Sequence, residues 1–193
     1  MDATYLVMTR ESRTCKLIQA VCHVDYVLKS QWLVESAKAG KFLPPDSYKI
    51  QYIPVDENLK FHLDTALQSP NRATLFAGRY FYVTPDVFPA RAEIVRMIES
   101  SGGKVEEKRR SSQAIAEIYN QSPDSYIIVT CPNDMHLCVD LTRFGNPKCP
   151  IVSTEFVMSS ILKQNLEIEP HIIPYLYNNN HSYTSGGGKT ATK

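Results

Sequence analysis

Apolar residues in this chain come in short runs separated by polar turns, and two of those runs share a layout. Tyr26, Val27 and Leu28 form a strand-like run. Ser30 follows, a residue type suited to capping a helix. Trp32, Leu33, Ser36 and Ala37 then recur at helical spacing, which predicts one apolar face. Gly40 stands where a left-handed residue would end such a helix. The predicted order is strand, cap, helix, glycine stop. Far downstream the same order returns from Ile151 to Ser160, with Phe156 in the place of Trp32 and Glu155 in that of Gln31. A second echo sets residues 4–9 (TYLVMT) against residues 125–130 (SYIIVT), matching Tyr5 with Tyr126 and Thr9 with Thr130. Two copies of one small α/β domain account for both echoes.

Taken in order, residues 4–9 are predicted as a buried strand. Residues 14–22 are predicted as a short helix with Leu17, Ile18 and Val21 on one side. With the strand–helix unit that follows, residues 1–50 make up the first domain. Residues 51–78 read as a connector carrying its own helix, with Leu59, Leu63, Ala66 and Leu67 in register. Ser69, Pro70 and Asn71 stop that helix. An apolar face on a connector predicts packing between the domains.

Residues 79–168 hold the second domain. Its strands are expected at 80–84, 104–105, 125–130 and 150–152. Its helices are expected at 90–100, with Ile94, Met97 and Ile98 inward, at 134–144 and at 153–163. Gly102 and Gly103 end the first of these, and residues 114–119 form a helical turn. Residues 175–193 are polar and rich in Asn and Gly, with no core to bury, and are expected to be disordered.

The two copies are unequal. The second reads β-α-β-β-α-β-α, whereas the first opens at its third strand, and nothing before Tyr5 corresponds to residues 79–124. The first domain is therefore expected to lack strand 1, helix 1 and strand 2. That leaves a sheet edge and apolar faces open. The expectation is a fragment, a mis-started gene model or an alternative product.

Charge and cysteine content narrow the function classes. The formal net charge of +1 supplies no overall field for nucleic acid or a membrane surface. No apolar run approaches the roughly 20 residues of a membrane span, and no signal-peptide pattern opens the chain. The five cysteines (Cys15, Cys22, Cys131, Cys138 and Cys149) are odd in number and form no CxxC pair. Reduced core thiols in an intracellular compartment are the reading.

Most motif-like stretches carry no chemistry. The run Gly186-Gly187-Gly188-Lys189-Thr190 resembles the end of a phosphate loop, but that motif needs glycine at position 183, where Tyr stands. Gly102-Gly103-Lys104 lacks the same spacing and reads as a helix stop. His136 and Cys138 have no second pair at metal-ligand spacing. Asp134 and Asp140 have no acidic partner of the kind a two-carboxylate enzyme uses. No nucleophile–base pair or cofactor loop is present, so a small α/β enzyme is disfavoured and no cofactor is expected. Arg13-Thr14-Cys15-Lys16 is different. It places two cations at the entry of a short helix, one turn apart and on a shared face, where backbone N–H groups favour an anion. Lysine offers a point charge to phosphate, and arginine a fork for a carboxylate or a main-chain carbonyl. The alternative is a solvated basic turn.

The order strand, R-T-x-K helix, strand, Trp-containing helix resembles the tandem BRCT module. Supporting stretches are KAGKFLPPDSY, RYFYVTPDVFP, SSGGKV, CPNDMHLC and EFVMSSILKQ, so the resemblance covers residues 4–168. It implies a fold of two BRCT repeats, each a parallel four-stranded sheet flanked by helices, with the first repeat truncated at its N-terminal side. Trp32, Phe156, Gly102 and Gly103 would be its structural markers. It also implies a nuclear, non-enzymatic adaptor of the DNA-damage response and of chromatin and transcription regulation. Such modules bind phosphoserine peptides between the repeats, so the implied partners are phosphorylated proteins, such as a phosphorylated histone tail or checkpoint and repair factors. By resemblance Lys16, with Thr14 beside it, meets the phosphate. Arg13 meets the backbone of the residue three places further on, and Pro89 and Ser159 complete that pocket. The Ser/Thr and Gly of the family's phosphate turn fall in the segment with no counterpart here, which leaves the pocket incomplete. A BRCT scaffold that binds an unmodified partner is the alternative.

Overall fold

The computed structural model describes residues 4–54, 60–142 and 149–173. Its elements are β1 (Tyr5–Met8), α1 (Cys15–Val21), β2 (Tyr26–Lys29), α2 (Gln31–Ala39), β3 (Tyr52–Pro54), β4 (Lys60–His62), α3 (Leu63–Leu67), β5 (Tyr80–Val83), α4 (Arg91–Ser100), β6 (Lys104–Glu106), α5 (Ser112–Gln121), β7 (Tyr126–Val129), α6 (Val139–Thr142), β8 (Ile151–Val152) and α7 (Thr154–Lys163). A 3₁₀ turn, Pro132–Cys138, leads into α6. Residues 174–193, with the low-complexity tail and the GGGKT stretch, lie outside the described residues.

The second repeat has a parallel sheet in the order β6-β5-β7-β8. β7 sits inside it and is buried along its whole length, as a strand covered on both faces must be. The first repeat pairs β1 with β2, again in parallel. One core joins the repeats, running from Leu17, Ile18 and Val21 through Leu63, Ala66 and Phe76 to Phe81, Met97, Phe156 and Ile161. α1 packs on both α4 and α7, and α3 packs on α7, so the connector is wedged at the junction.

Gly102 and Gly103 are set by close approach. Gly102 has φ +82°, and a Cβ there would lie 2.9 Å from the Ala73 carbonyl oxygen. A Cβ on Gly103 would meet Ile98 Cγ2 at 2.5 Å. Gly40 ends α2 in the left-handed region, as its position predicts.

Several expectations need correction. The helix in the middle of the connector is shorter than its spacing predicts: Lys60–His62 pairs with Tyr52–Pro54 as an antiparallel hairpin, and the helix that follows has five residues. Leu59 lies outside the described residues. The helical turn at 114–119 is a ten-residue helix, capped by the Ser111 hydroxyl, which accepts from the Ala114 N–H at 3.3 Å. Ser30 precedes α2 but caps nothing with its side chain, because its own backbone is already helical. The apolar face of α2 is narrower than its spacing suggests. Trp32 and Ser36 are buried, whereas Leu33 is 45% exposed and Ala37 is exposed. β1 is not fully buried either, since Tyr5 is 42% exposed.

The echo of β1 in β7 is also shifted by one residue. Leu6 pairs with Val27, and Ile128 with Ile151, in ladders that each lead into the matching helix. That sets Leu6, not Val7, in the place of Ile128, and Tyr5 in that of Ile127. A one-residue slip turns a side chain to the other face of a sheet. Tyr5 accordingly lies tilted against Trp32 of α2, while Tyr126 packs among Ile115, Cys138 and Leu141.

Candidate functional site

Thr14 opens α1 in an extended conformation, and its Oγ1 accepts from the Leu17 N–H at 3.2 Å. That bond holds the hydroxyl at the helix entry with its own proton free to donate. Lys16 is exposed, and among the described residues it joins no ion pair. With Thr9, Arg10, Ser12 and Thr14 it lines a cavity of about 300 Å³ at the C-terminal end of β1. Two cations and three hydroxyls around one hollow can hold an anion through charge-assisted hydrogen bonds.

Arg13 engages other neighbours. Its Nη2 donates to Glu155 Oε1 of α7 at 2.7 Å, across the junction of the repeats. The same carboxylate oxygen accepts from Ser159 Oγ at 2.5 Å, one helical turn on. Among the described residues Arg13 Nε is buried without a hydrogen-bond partner, so the guanidinium keeps donor capacity. Pro89 follows a cis peptide bond from Phe88, which is 87% exposed. The Phe88 carbonyl accepts from Thr154 Oγ1 at 2.8 Å, tying the loop after β5 to the first residue of α7. Thus Arg13 and Ser159 share one carboxylate, and the Pro89 loop is fastened to the same helix. Lys16 and Thr14 stand at the end of β1. Glu155 holds the Arg13 guanidinium against α7, while Lys16 lines the hollow at the end of β1. Glu155 was visible in the sequence only as the counterpart of Gln31.

The matching corner of the second repeat holds an anion of its own. Asp134 is buried, and its Oδ2 accepts from the Asp86 N–H at 2.7 Å. Cys131 Sγ donates to the Asp86 carbonyl at 3.4 Å, and Thr84 Oγ1 donates to Thr130 Oγ1 at 3.0 Å. The partner of Asp134 is a backbone amide, which no residue pattern reveals. Nearby, His136 Nδ1 lies 3.0 Å from the Asn133 carbonyl oxygen. Burial pushes the Cys138 thiol up to about 11, far from a reactive thiolate.

Trp32 and Phe156 are packing residues. The Trp32 indole N–H donates to the Leu43 carbonyl at 2.8 Å, and Phe156 is fully buried against Phe76.

The sequence model of the BRCT domain matches residues 74–171. The chain belongs to the BRCT family. It is 28% identical over 169 residues to the PAX-interacting protein 1 of Bos taurus, covering 87% of this chain and 17% of that protein. It is 31% identical over 176 residues to the human mediator of DNA damage checkpoint protein 1, covering 89% of this chain and 8% of that one. The chain thus spans less than a fifth of the curated relatives it matches. Among solved structures, the BRCT5-BRCT6 domains of S. pombe Brc1 superpose with a TM-score of 0.63 at 16% identity, covering 90% of this chain and 84% of that one. The complex of Rtt107p with a phosphorylated histone superposes at 0.56 and 13% identity, covering 87% and 73%. These likenesses establish a tandem BRCT fold.

Proposed function

We propose that this chain is the peptide-reading part of a non-enzymatic BRCT adaptor that works in the nucleus in the DNA-damage response and in chromatin and transcription regulation. Its ligand is a phosphoserine peptide of a phosphorylated protein, such as a histone tail or a checkpoint or repair factor. The observation that carries this reading is Lys16, which stands without an ion partner among the described residues and lines a hydroxyl-rich hollow. Lys16, with Thr14, receives the phosphate. Arg13, Pro89 and Ser159 receive the residues that follow it, on the face where Glu155 holds the arginine fork. One relative and one structural neighbour support the reading by name: the relative is a mediator of the DNA damage checkpoint, and the neighbour, Rtt107p, was solved with a phosphorylated histone.

A second reading has its own support. The apolar surface around Leu33 and Phe42 suits a partner without phosphate. Titration with a phosphoserine peptide and its unphosphorylated twin separates the two. The phosphopeptide reading requires tighter binding of the phosphorylated form and loss of that preference in Lys16→Glu. Equal affinities would leave the scaffold reading.

A further inference from the structure

Ser112 is the one serine or threonine of the chain with arginines both two and three residues ahead of it, in the run Lys108-Arg109-Arg110-Ser111-Ser112. Residues 107–111 form neither helix nor strand, and Ser112 is exposed as the first residue of α5. Only Ile115 of that helix is fully buried. With so few apolar contacts, the first turn of α5 can open locally and present an extended stretch.

The Ser112 hydroxyl has a carboxylate for a partner. Its Oγ donates to Asp140 Oδ2 of α6 at 2.5 Å, and Arg109 Nη2 donates to the same oxygen at 2.8 Å. Asp140 thus ties α6 to the entry of α5. The Arg109 side chain is 21% exposed, and its Nη1 is buried without a hydrogen-bond partner among the described residues. The fork therefore has one end on a carboxylate and a donor to spare. Ser111 differs, because its hydroxyl accepts from the Ala114 N–H and caps the helix. Arg109 and Arg110 each pair with one partly exposed carboxylate, Asp140 and Glu106. Such pairs are weak enough for an acidic cleft to displace.

We propose that Ser112 is a phosphorylation site for a serine kinase that reads upstream arginines, and that the phosphate takes Arg109 from Asp140 and so releases α6 from α5. Ser112 Oγ attacks the γ-phosphorus of ATP. A bond forms from Oγ to that phosphorus, and the bond from phosphorus to the bridging oxygen breaks. ADP leaves with the electron pair, and the hydroxyl proton passes to the kinase's carboxylate base. The phosphoserine carries about two negative charges and three acceptor oxygens. Arg109 can meet it with both ends of its fork, including the Nη1 that has no partner now. Ser112 then has no proton to donate to Asp140, and the two anions repel each other. Both bonds between Asp140 and the entry of α5 are lost. α6 keeps the packing of Leu141 beside Ile115 and Tyr126 but loses its outer tie. The proposal stands whether or not Lys16 meets a phosphate.

The test treats the whole chain with magnesium ATP and the catalytic subunit of cyclic-AMP-dependent protein kinase. Mass spectrometry then maps the phosphate, and hydrogen exchange compares the two forms. Phosphate is expected on Ser112 and should be missing from that segment in Ser112→Ala. Arg109→Lys keeps a charge beside Asp140 but not the fork, and should slow incorporation about tenfold. In the phosphorylated chain, exchange across Val139–Thr142 should be about tenfold faster. Asp140→Ala should show that faster exchange without phosphate, and phosphorylation should then add nothing. Phosphate only on other residues, or incorporation only after denaturation, would overturn the proposal. So would unchanged exchange in α6 of the fully phosphorylated chain.

Discussion

Arg13 Nη2 and Glu155 Oε1 lie 2.7 Å apart, joining the entry of α1 to the first turn of α7. The arginine side chain is 17% exposed and the glutamate 41%, so the pair is half in water and worth less than a buried one. Glu155→Ala should cost about 1 kcal/mol, read as a lower urea midpoint at unchanged slope. Glu155→Gln keeps an acceptor for Ser159 and should cost less. Equal midpoints for wild type and Glu155→Ala would show that the pair contributes nothing.

Lys16→Glu should bring the affinities for a phosphorylated peptide and its unphosphorylated twin together. Loss of a single charge-assisted bond is worth about tenfold or more in affinity. Because Lys16 is exposed, stability should change by no more than about 0.5 kcal/mol. Calorimetry that finds the same phosphate preference in both proteins removes Lys16 from the site.

Trp32→Ala should destabilise the first repeat by about 3–5 kcal/mol. The indole stacks on Phe42, meets the tilted ring of Tyr5 and donates to the Leu43 carbonyl. Trp32→Phe keeps the stack, loses only the hydrogen bond and should cost less. Hydrogen exchange resolved by segment should place the loss in β1, β2 and α2. An unchanged melting transition would contradict this.

Gly103→Ala should destabilise the second repeat by about 1–3 kcal/mol, because the new methyl falls within 2.5 Å of Ile98 Cγ2 and near Phe76 and Phe81. Thermal unfolding of the variant checks this, and a Tm equal to wild type would mean that those side chains give way freely.

Alkaline pH should unfold the second repeat early. Burial pushes the thiols of Cys138 and Cys149 up from 9.0 to about 11 and about 12, and the Tyr126 phenol from 10.0 to about 12. These groups stay protonated in the fold after they have ionised in the unfolded chain. Their stabilisation is complete below about pH 9 and is lost progressively as pH rises towards about 12. Tm measured from pH 8 to 11 should fall, and Cys149→Ser should flatten the fall. A flat Tm over that range would refute the linkage.

Much of the candidate site was legible as residue types and little of it as partners. Arg13 and Lys16 stand out at a helix entry, and the glycine pair stands out after a helix. The carboxylate that holds Arg13 lies 142 residues away, and the carboxylate in the matching corner of the second repeat, Asp134, binds a backbone amide. Neither distance in sequence nor residue type encodes such contacts. The connector misled for a similar reason: Leu63, Ala66 and Leu67 keep helical spacing, but pairing of Tyr52–Pro54 with Lys60–His62 takes the start of that run into a hairpin.

Outside the connector, the sequence by itself determined most of the elements, their order and the fact of a repeat. These follow from the period of apolar positions and from local stops such as Gly40, at which a Cβ would meet nothing within 4 Å. The tertiary structure decided which way each element faces. TYLVMT and SYIIVT align position by position, yet the ladders place Leu6 with Ile128, one step off that alignment. Side chains alternate across a strand, so that single step puts Tyr5 beside Trp32 and Tyr126 on the opposite side of its sheet. Burial differs for the same kind of reason. Leu33 and Val157 occupy equivalent helix positions, but Leu33 is 45% exposed, whereas Val157 is buried in the core on a helix that packs against α1, α3 and α4.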